Sequence, residues 1–197
     1  MAVETVPGER TDARARPEIR AAILERAVDI ASRDGLEGLT IGRLAGELEM
    51  SKSGLFRHFG SKEELQLATV AEAAEMVVEE VVNPALSAEE GEPRLRALCE
   101  HYIDHLEREV LSGGCFWGAT SAEFDDRPGP VRDAIRDAVA AWSGALARQA
   151  ELAGFTDPEQ LSFELQAIAQ GANSAYRLFG DERAFTRARR AFERLLP

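Results

Sequence analysis

Cysteine is scarce: Cys99 and Cys115 are the only two in 197 residues. That excludes a disulfide framework and leaves two thiols in apolar contexts, expected to be buried. No stretch approaches the ~20 apolar residues that a membrane-spanning helix requires, and no apolar run follows a basic start at the N-terminus. A cytoplasmic protein with no membrane partner is the expectation. A glycine-rich phosphate loop, a nucleophile elbow and spaced cysteine clusters are all missing as well, so nothing positive supports an enzyme or a bound cofactor. His101 and His105 stand four apart, a spacing that can bring two imidazoles to one metal. Yet HYIDH lacks the glutamate that a zinc-protease motif places after its first histidine. On the helix they share, His105 falls at the border of the apolar face and His101 further toward solvent. No metal site is expected.

Sustained strand alternation and internal repeats are absent too, and what the chain does have is helical periodicity, which predicts an all-α fold. Ile19, Ile23, Ala27, Ile30 and Ala31 form a stripe that starts at Pro17 and closes near Asp34 with Gly35 as the cap. Residues 1–16 show no such pattern and are expected to form a mobile tail, with Arg10, Arg14 and Arg16 able to reach a minor groove. Beyond Lys62, Leu65, Ala68, Ala71 or Glu72, Met76 and Val81 predict a long helix reaching Asn83 and Pro84. A polar segment over 87–93 then precedes a broad face of Leu95, Leu98, Cys99, Tyr102, Ile103, Leu106 and Val110, which Gly113 and Gly114 break. A short buried helix follows over 115–124, then a longer one from Pro130 to Ala153 with Val131, Ile135, Val139, Trp142 and Leu146 inward. Asp157, Pro158 and Gln160 start another helix that reaches Phe179. Phe185, Ala188, Phe192 and Leu195 mark the last.

The most informative stretch is 40–65, TIGRLAGELEMSKSGLFRHFGSKEEL. Thr40 can cap a helix whose inward residues are Ile41, Leu44, Ala45 and Leu48. Ser51 offers a second N-cap, with Leu55, Phe56 and Phe59 as the next apolar spacing, and Ser61 with Glu64 reads as a capping box for a third helix. Two short helices around a tight turn, leading into a third, are the layout of a helix-turn-helix. With the apolar residues inward, Ser51, Lys52, Ser53 and Arg57 are left outside at the front of the second helix, the part that enters a major groove. Lys62 sits in a first helical turn, where a cation is mildly unfavourable to the helix dipole, so a phosphate partner is expected for it.

SKSGLFRHFGSKEEL resembles the signature of the TetR family of bacterial transcriptional regulators, and the likeness extends from Arg20 to about Val70. The resemblance implies a dimer of all-helical subunits, each with an N-terminal three-helix DNA-binding domain and a variable domain that binds a small ligand and the second subunit. It further implies that Thr40, Arg43, Ser51, Lys52, Ser53, Phe56, Arg57, His58 and Lys62 contact DNA. Two positions depart from the pattern. Phe56 replaces the usual Tyr, which removes a phenol-to-phosphate hydrogen bond. Glu49 stands where the turn normally has Gly, and a non-glycine residue at positive φ costs roughly 1 kcal/mol. The segment GGCFWGATSAEFDDRPGPVRDAI is similar to the regulatory domain of one subgroup of these proteins.

The net charge of −12 is unevenly placed. Up to Lys62 ten Lys/Arg balance ten Asp/Glu, so the whole excess of acid lies beyond it. Repulsion from an acidic body would confine DNA to the neutral end. The expected division is therefore a tail over 1–16, a DNA-binding domain over 17–62 and a ligand-binding and dimerisation domain over 63–197. In the last, aromatic bulk beside polar residues suggests a small-molecule effector pocket. Its candidate lining is Tyr102, His105, Cys115, Phe116, Trp117, Phe124, Trp142, Phe163, Gln166, Gln170, Asn173 and Tyr176. The last two helices carry apolar residues on more than one side and are expected to form a four-helix interface in a homodimer. A ligand-responsive repressor on a pseudo-palindromic DNA operator is the functional expectation. A helical adaptor for protein partners, or an enzyme using His105, Tyr102 or Cys115, are the alternatives.

Overall fold

The computed structural model describes residues 9–196, with side chains from Glu18 onward. Residues 1–8 and the side chains of Arg10, Arg14 and Arg16 lie outside the described set, so the expected tail is described only in its last part. There the backbone is helical: α1 is Glu9–Gly38 and starts before Pro17. Gly35 interrupts it at φ 75°, ψ 167°, so the main helix closes at Asp34, as its sequence predicts. Helices α2 (Ile41–Glu47), α3 (Lys52–Phe59) and α4 (Lys62–Val77) follow. After a π-helical turn at Val78–Val82 come α5 (Asn83–Ala85), α6 (Glu92–Glu107), α7 (Phe116–Phe124), α8 (Pro130–Leu152), α9 (Pro158–Phe179) and α10 (Ala184–Leu195). No strand occurs among the described residues, and the fold is all-α.

Two apolar clusters hold it. The first joins α1 to α2, α3 and α4 through Ile23, Ala27, Ile30, Leu44, Leu55 and Leu65, and it also takes in Phe116 and Phe124 of α7 and Val131 and Ile135 of α8. The second packs Leu95, Ile103, Leu146, Leu165, Phe185 and Phe192 between α6, α8, α9 and α10. Contact between α1 and α7 is tight. A Cβ on Gly113 would lie 2.1 Å from the Ser32 carbonyl carbon, so only glycine allows that approach. The Ser112 N–H donates to Asp29 at 2.8 Å and the Gly113 N–H to Ser32 Oγ at 3.1 Å, which fixes the α6–α7 loop on α1.

Several sequence expectations need correction. On α4 the buried residues are Leu65, Gln66, Thr69, Val70 and Ala73, while Ala71 is exposed. Gln66 and Thr69 were hidden from an apolar count because they are polar. They can be buried because Gln66 Nε2 donates to the Leu36 carbonyl at 2.8 Å and Thr69 Oγ1 to the Leu65 carbonyl at 2.7 Å. Half of the capping box at Ser61 forms: its hydroxyl accepts from Glu64 N–H at 3.0 Å, while Ser61 N–H bonds the Phe59 carbonyl. The helix expected to run unbroken to Pro84 contains the π turn, closed by Asn83 N–H on the Val78 carbonyl. Helix α6 stops at Glu107, and Glu109 lies at φ 50°, so Val110 belongs to the turn.

Candidate functional site

The tip of the molecule is built by three N-caps in succession. Thr40 Oγ1 accepts from Arg43 N–H at 3.2 Å, Ser51 Oγ from Gly54 N–H at 3.0 Å, and Ser61 starts α4. Glu49 sits at φ 53° in the α2–α3 turn, the left-handed conformation expected from its place. Leu55 and Phe59, one turn apart, are buried. Phe56 was expected to join them and does not: one position on from Leu55, it is rotated about 100° around the helix and is 53% exposed. Its ring, Lys52, Ser53 and Arg57 border a shallow depression closed on the other side by Ile41 and Gly42 of α2. Lys52 and Arg57 make no ion pair among the described residues. His58, half-buried, leans on Phe59.

Two other cations of the tip are engaged. Lys62 Nζ donates to the Glu37 carbonyl at 3.0 Å and to its carboxylate at 2.9 Å, so an intramolecular acid, and not only a phosphate, accounts for a lysine in that turn. Lys62, followed by the Gln66 amide, holds the Glu37 carboxyl below its usual range. Arg43 pairs with Asp34 at 2.6 Å and with Glu47 at 3.5 Å.

The body encloses a cavity of about 440 Å³ between α4, the π turn, α6, α7, α8 and α9. Ala74, Val77, Val78, Val82, Val139 and three alanines of α8 supply its apolar wall. Of the twelve candidates, it brings together Tyr102, Trp117, Trp142, Gln166 and Gln170. Cys115 and Phe116 lie buried behind that wall and, with His105, line a much smaller void. The Cys115 sulfur caps α7 and also accepts from Gln170 Nε2 at 3.0 Å; it lies 3.2 Å from the Tyr102 hydroxyl. Burial, with Cys115 beside it, pushes the Tyr102 phenol well above its ordinary value. His105 is more deeply placed than the border position read from the sequence; its Nδ1 has no partner, and burial lowers its pKa.

Four candidates lie elsewhere. Phe124 belongs to the first apolar cluster, and Asn173 caps the Cys115 N–H at 3.3 Å. Tyr176 reaches Glu109 at 3.1 Å on the surface. Phe163 is 66% exposed on the outer side of α9. Apolar count alone could not separate the two sides of α9, because both carry apolar residues. Conversely, sequence reasoning missed Ala74, Val77, Val78, Gly118 and Ser121, whose small or ordinary apolar side chains give no signal of a cavity. Both cysteines are free and buried, and burial, with Glu100 beside it, pushes the Cys99 thiol up to about 12.

Comparison with known proteins fits this geometry. The sequence model of bacterial regulatory proteins of the tetR family matches residues 23–69, and that of the tetracyclin repressor-like C-terminal domain matches 91–192. Among curated proteins no relative matches the sequence. A TetR transcriptional regulator from Chloroflexus aurantiacus has a similar structure, with a TM-score of 0.81 at 24% identity over 90% of this chain and 93% of that one. A TetR-family regulator from Streptomyces coelicolor gives 0.80 at 24% identity, covering 91% and 95%. AibR, solved in complex with isovaleryl coenzyme A and operator DNA, gives 0.65 at 24% identity, covering 80% and 86%. With family models matching both its helix-turn-helix and its body, this chain belongs to the TetR family of bacterial transcriptional regulators.

Proposed function

We propose that the protein is a ligand-responsive repressor that binds a pseudo-palindromic operator in the cytoplasm as a homodimer. The observation that carries this reading is the outward face of α3: Lys52, Ser53, Phe56 and Arg57 stand exposed together on a helix of major-groove length. In this reading Lys52, Ser51 and Thr40 hold phosphates, Ser53 and Arg57 meet base edges, and Phe56 and His58 add contact area. Lys62 and Arg43 reach DNA by exchanging Glu37 and Asp34 for phosphate, which weakens their share.

The outer sides of α8 and α9 support the homodimer. Phe163, Leu178 and Phe179 are exposed on α9, and Gly144 and Gly171 are helical glycines with open space in front of them. A mid-helix glycine costs about 1 kcal/mol relative to Ala; close approach of a second backbone would give that cost a return. The outer face of α10, by contrast, carries Arg187, Arg190, Glu193 and Arg194, so α8 and α9, not the last two helices, are the proposed pairing surface. The cavity takes the effector. Its wall includes Ala74 and Val77 of α4, whose first turn is tied to the reader through Lys62 and Gln66, so occupancy shifts the reader by the ligand's differential affinity for the two positions. AibR, solved with both a thioester ligand and its operator, is a structural neighbour in which both kinds of partner are present.

Selection of bound fragments from a random duplex pool tests the reading directly. Enriched sites should be pseudo-palindromic with half-sites about one turn, ~34 Å, apart. If a dimer neutralises about six phosphates, log affinity should fall with log salt at a slope of roughly −5, and Lys52→Ala with Arg57→Ala should abolish binding. Absence of any enrichment at low ionic strength would refute it.

A further inference from the structure

None of the residues lining the 440 Å³ cavity carries a charge. In a chain with 58 charged side chains, 23 basic and 35 acidic, a wall without one restricts what can enter. An ion brought into an apolar site without a counter-ion loses its hydration with no replacement, at a cost of several kcal/mol. Carboxylates, phosphates and ammonium ions are thereby disfavoured.

The wall's polar groups define the complement. Gln166 is spent within the protein: its Nε2 donates to the Ser162 carbonyl at 3.1 Å, and its Oε1 accepts from Ser143 Oγ at 3.1 Å. Gln170 is half-spent, since Nε2 donates to Cys115 while Oε1 has no donor among the described residues. That oxygen lies over Gly118, where a Cβ would come within 2.8 Å of it, so glycine is what leaves it room. Trp117 and Trp142 also line the cavity, and neither indole N–H has an acceptor among the described residues. Trp142 is stacked with Tyr102 at 5.2 Å between centroids. Flat apolar surface, one free acceptor and two N–H donors fit one class of molecule.

We infer that the cavity binds a neutral, ring-bearing apolar molecule that donates a hydrogen bond to Gln170 Oε1. Naming this molecule the effector rests on the regulator reading above; the binding itself does not.

The chain's two tryptophans are both in this wall, so its intrinsic tryptophan emission reports the cavity. Two probes share one ring system: N-phenyl-1-naphthylamine is neutral, and 8-anilino-1-naphthalenesulfonate carries a sulfonate. The neutral probe should quench tryptophan emission saturably and bind at least about tenfold more tightly than the anionic one. Ala145→Phe fills the wall and should weaken the neutral probe by about tenfold or more. Ser121→Arg places a cation on an exposed lining position without disturbing a packed residue, and should raise affinity for the sulfonate while leaving the neutral probe within about threefold. Equal affinities for the two probes, or neutral-probe binding untouched by Ala145→Phe in a protein of native circular dichroism, would overturn the inference. Those results would leave operator selection intact. Loss of operator binding with the probe preference preserved would instead refute the regulator reading alone.

Discussion

Glu123 joins the cavity helix to the reader, and its removal should produce a measurable non-additivity with Gly35. Its carboxylate accepts from the Leu36 N–H at 2.7 Å and the Glu37 N–H at 2.9 Å, capping the last turn of α1 beyond the kink. Hydrogen bonds to a charged acceptor contribute about 1.5–3 kcal/mol each when well made. Glu37 is exposed and can take water instead, whereas Leu36 is buried and its N–H would be left without a partner. Glu123→Ala should therefore cost about 2 kcal/mol, mostly from Leu36. Gly35→Ala carries two costs. At φ 75°, ψ 167° the backbone is in a region that is essentially glycine-only, worth about 1–3 kcal/mol. The added Cβ would also lie 2.6 Å from a Glu123 oxygen and push the carboxylate off both amides. Gly35→Ala thus loses the caps as well, for a total of about 4 kcal/mol. Because the caps can be lost only once, the double variant should cost about 4 rather than about 6 kcal/mol. Urea unfolding at one fixed protein concentration measures each corner of the cycle. Additivity within about 0.5 kcal/mol would refute the account of the kink.

Three further outcomes follow from the geometry. His105 is buried with a pKa below the ordinary 6.5, so the unfolded chain takes up a proton first; stability is full above 6.5 and falls as pH drops from there toward the folded pKa. Replacing it with Gln should flatten that slope in denaturation measured across the window. The wild-type difference also cancels Glu72, which burial and the neighbouring Glu25 and Glu79 push up and which contributes the opposite slope. Glu49→Gly should relieve the positive φ and raise stability by roughly 0.5–1 kcal/mol, seen as a higher midpoint temperature; a fall would show that the strain is absent. Cys99, with its thiol pushed up to about 12, should resist a thiol reagent at pH 8 in the native protein and react once it is unfolded, and rapid native labelling would contradict its burial.

The sequence was most informative where local chemistry decides. Thr40, Ser51, Ser61 and Asp157 are all observed as N-caps with side-chain acceptors, and Gly35 and Gly180 close their helices at positive φ. Each of these is settled by a few neighbouring residues, so a short window contains the cause. Phe56 was misplaced as a core residue because three apolar residues in a five-residue span fit a helical face only loosely, and the angular difference between i+1 and i+4 decides which are buried. The true stripe of α4 was obscured for a different reason. Gln66 and Thr69 are buried only because Leu36 and Leu65 offer carbonyls, and the Leu36 carbonyl lies thirty positions away. The cavity was half legible: its tryptophans and glutamines stand out by type, while its alanines and valines would look the same in a solid core. A cavity is a property of what neighbouring helices fail to fill, and no single helix encodes it.

That failure to fill coincides with the π turn. Val78 and Val82 both line the cavity, and they bound the segment where the backbone takes one extra residue per turn. Such a turn offsets everything on α4 beyond it relative to an unbroken α-helix, and relaxing it would rotate α4 against the body. The opposite end of α4 is fastened to α1 through Lys62 and Gln66, and α7, which supplies Trp117, Gly118 and Ser121 to the same cavity, is fastened to α1 through Glu123. Both attachments converge on Leu36 and Glu37, at the start of the segment that leads into the helix-turn-helix. A change in cavity occupancy that moved α4 and α7 together would shift the reader as a unit, whereas a change that moved them differently would strain the Gly35 kink. The kink is the one place where α1 has left helical dihedrals among the described residues. Coupling between cavity and reader is therefore expected to run through the geometry at Gly35, and weakening the Glu123 caps should loosen it without touching either binding face.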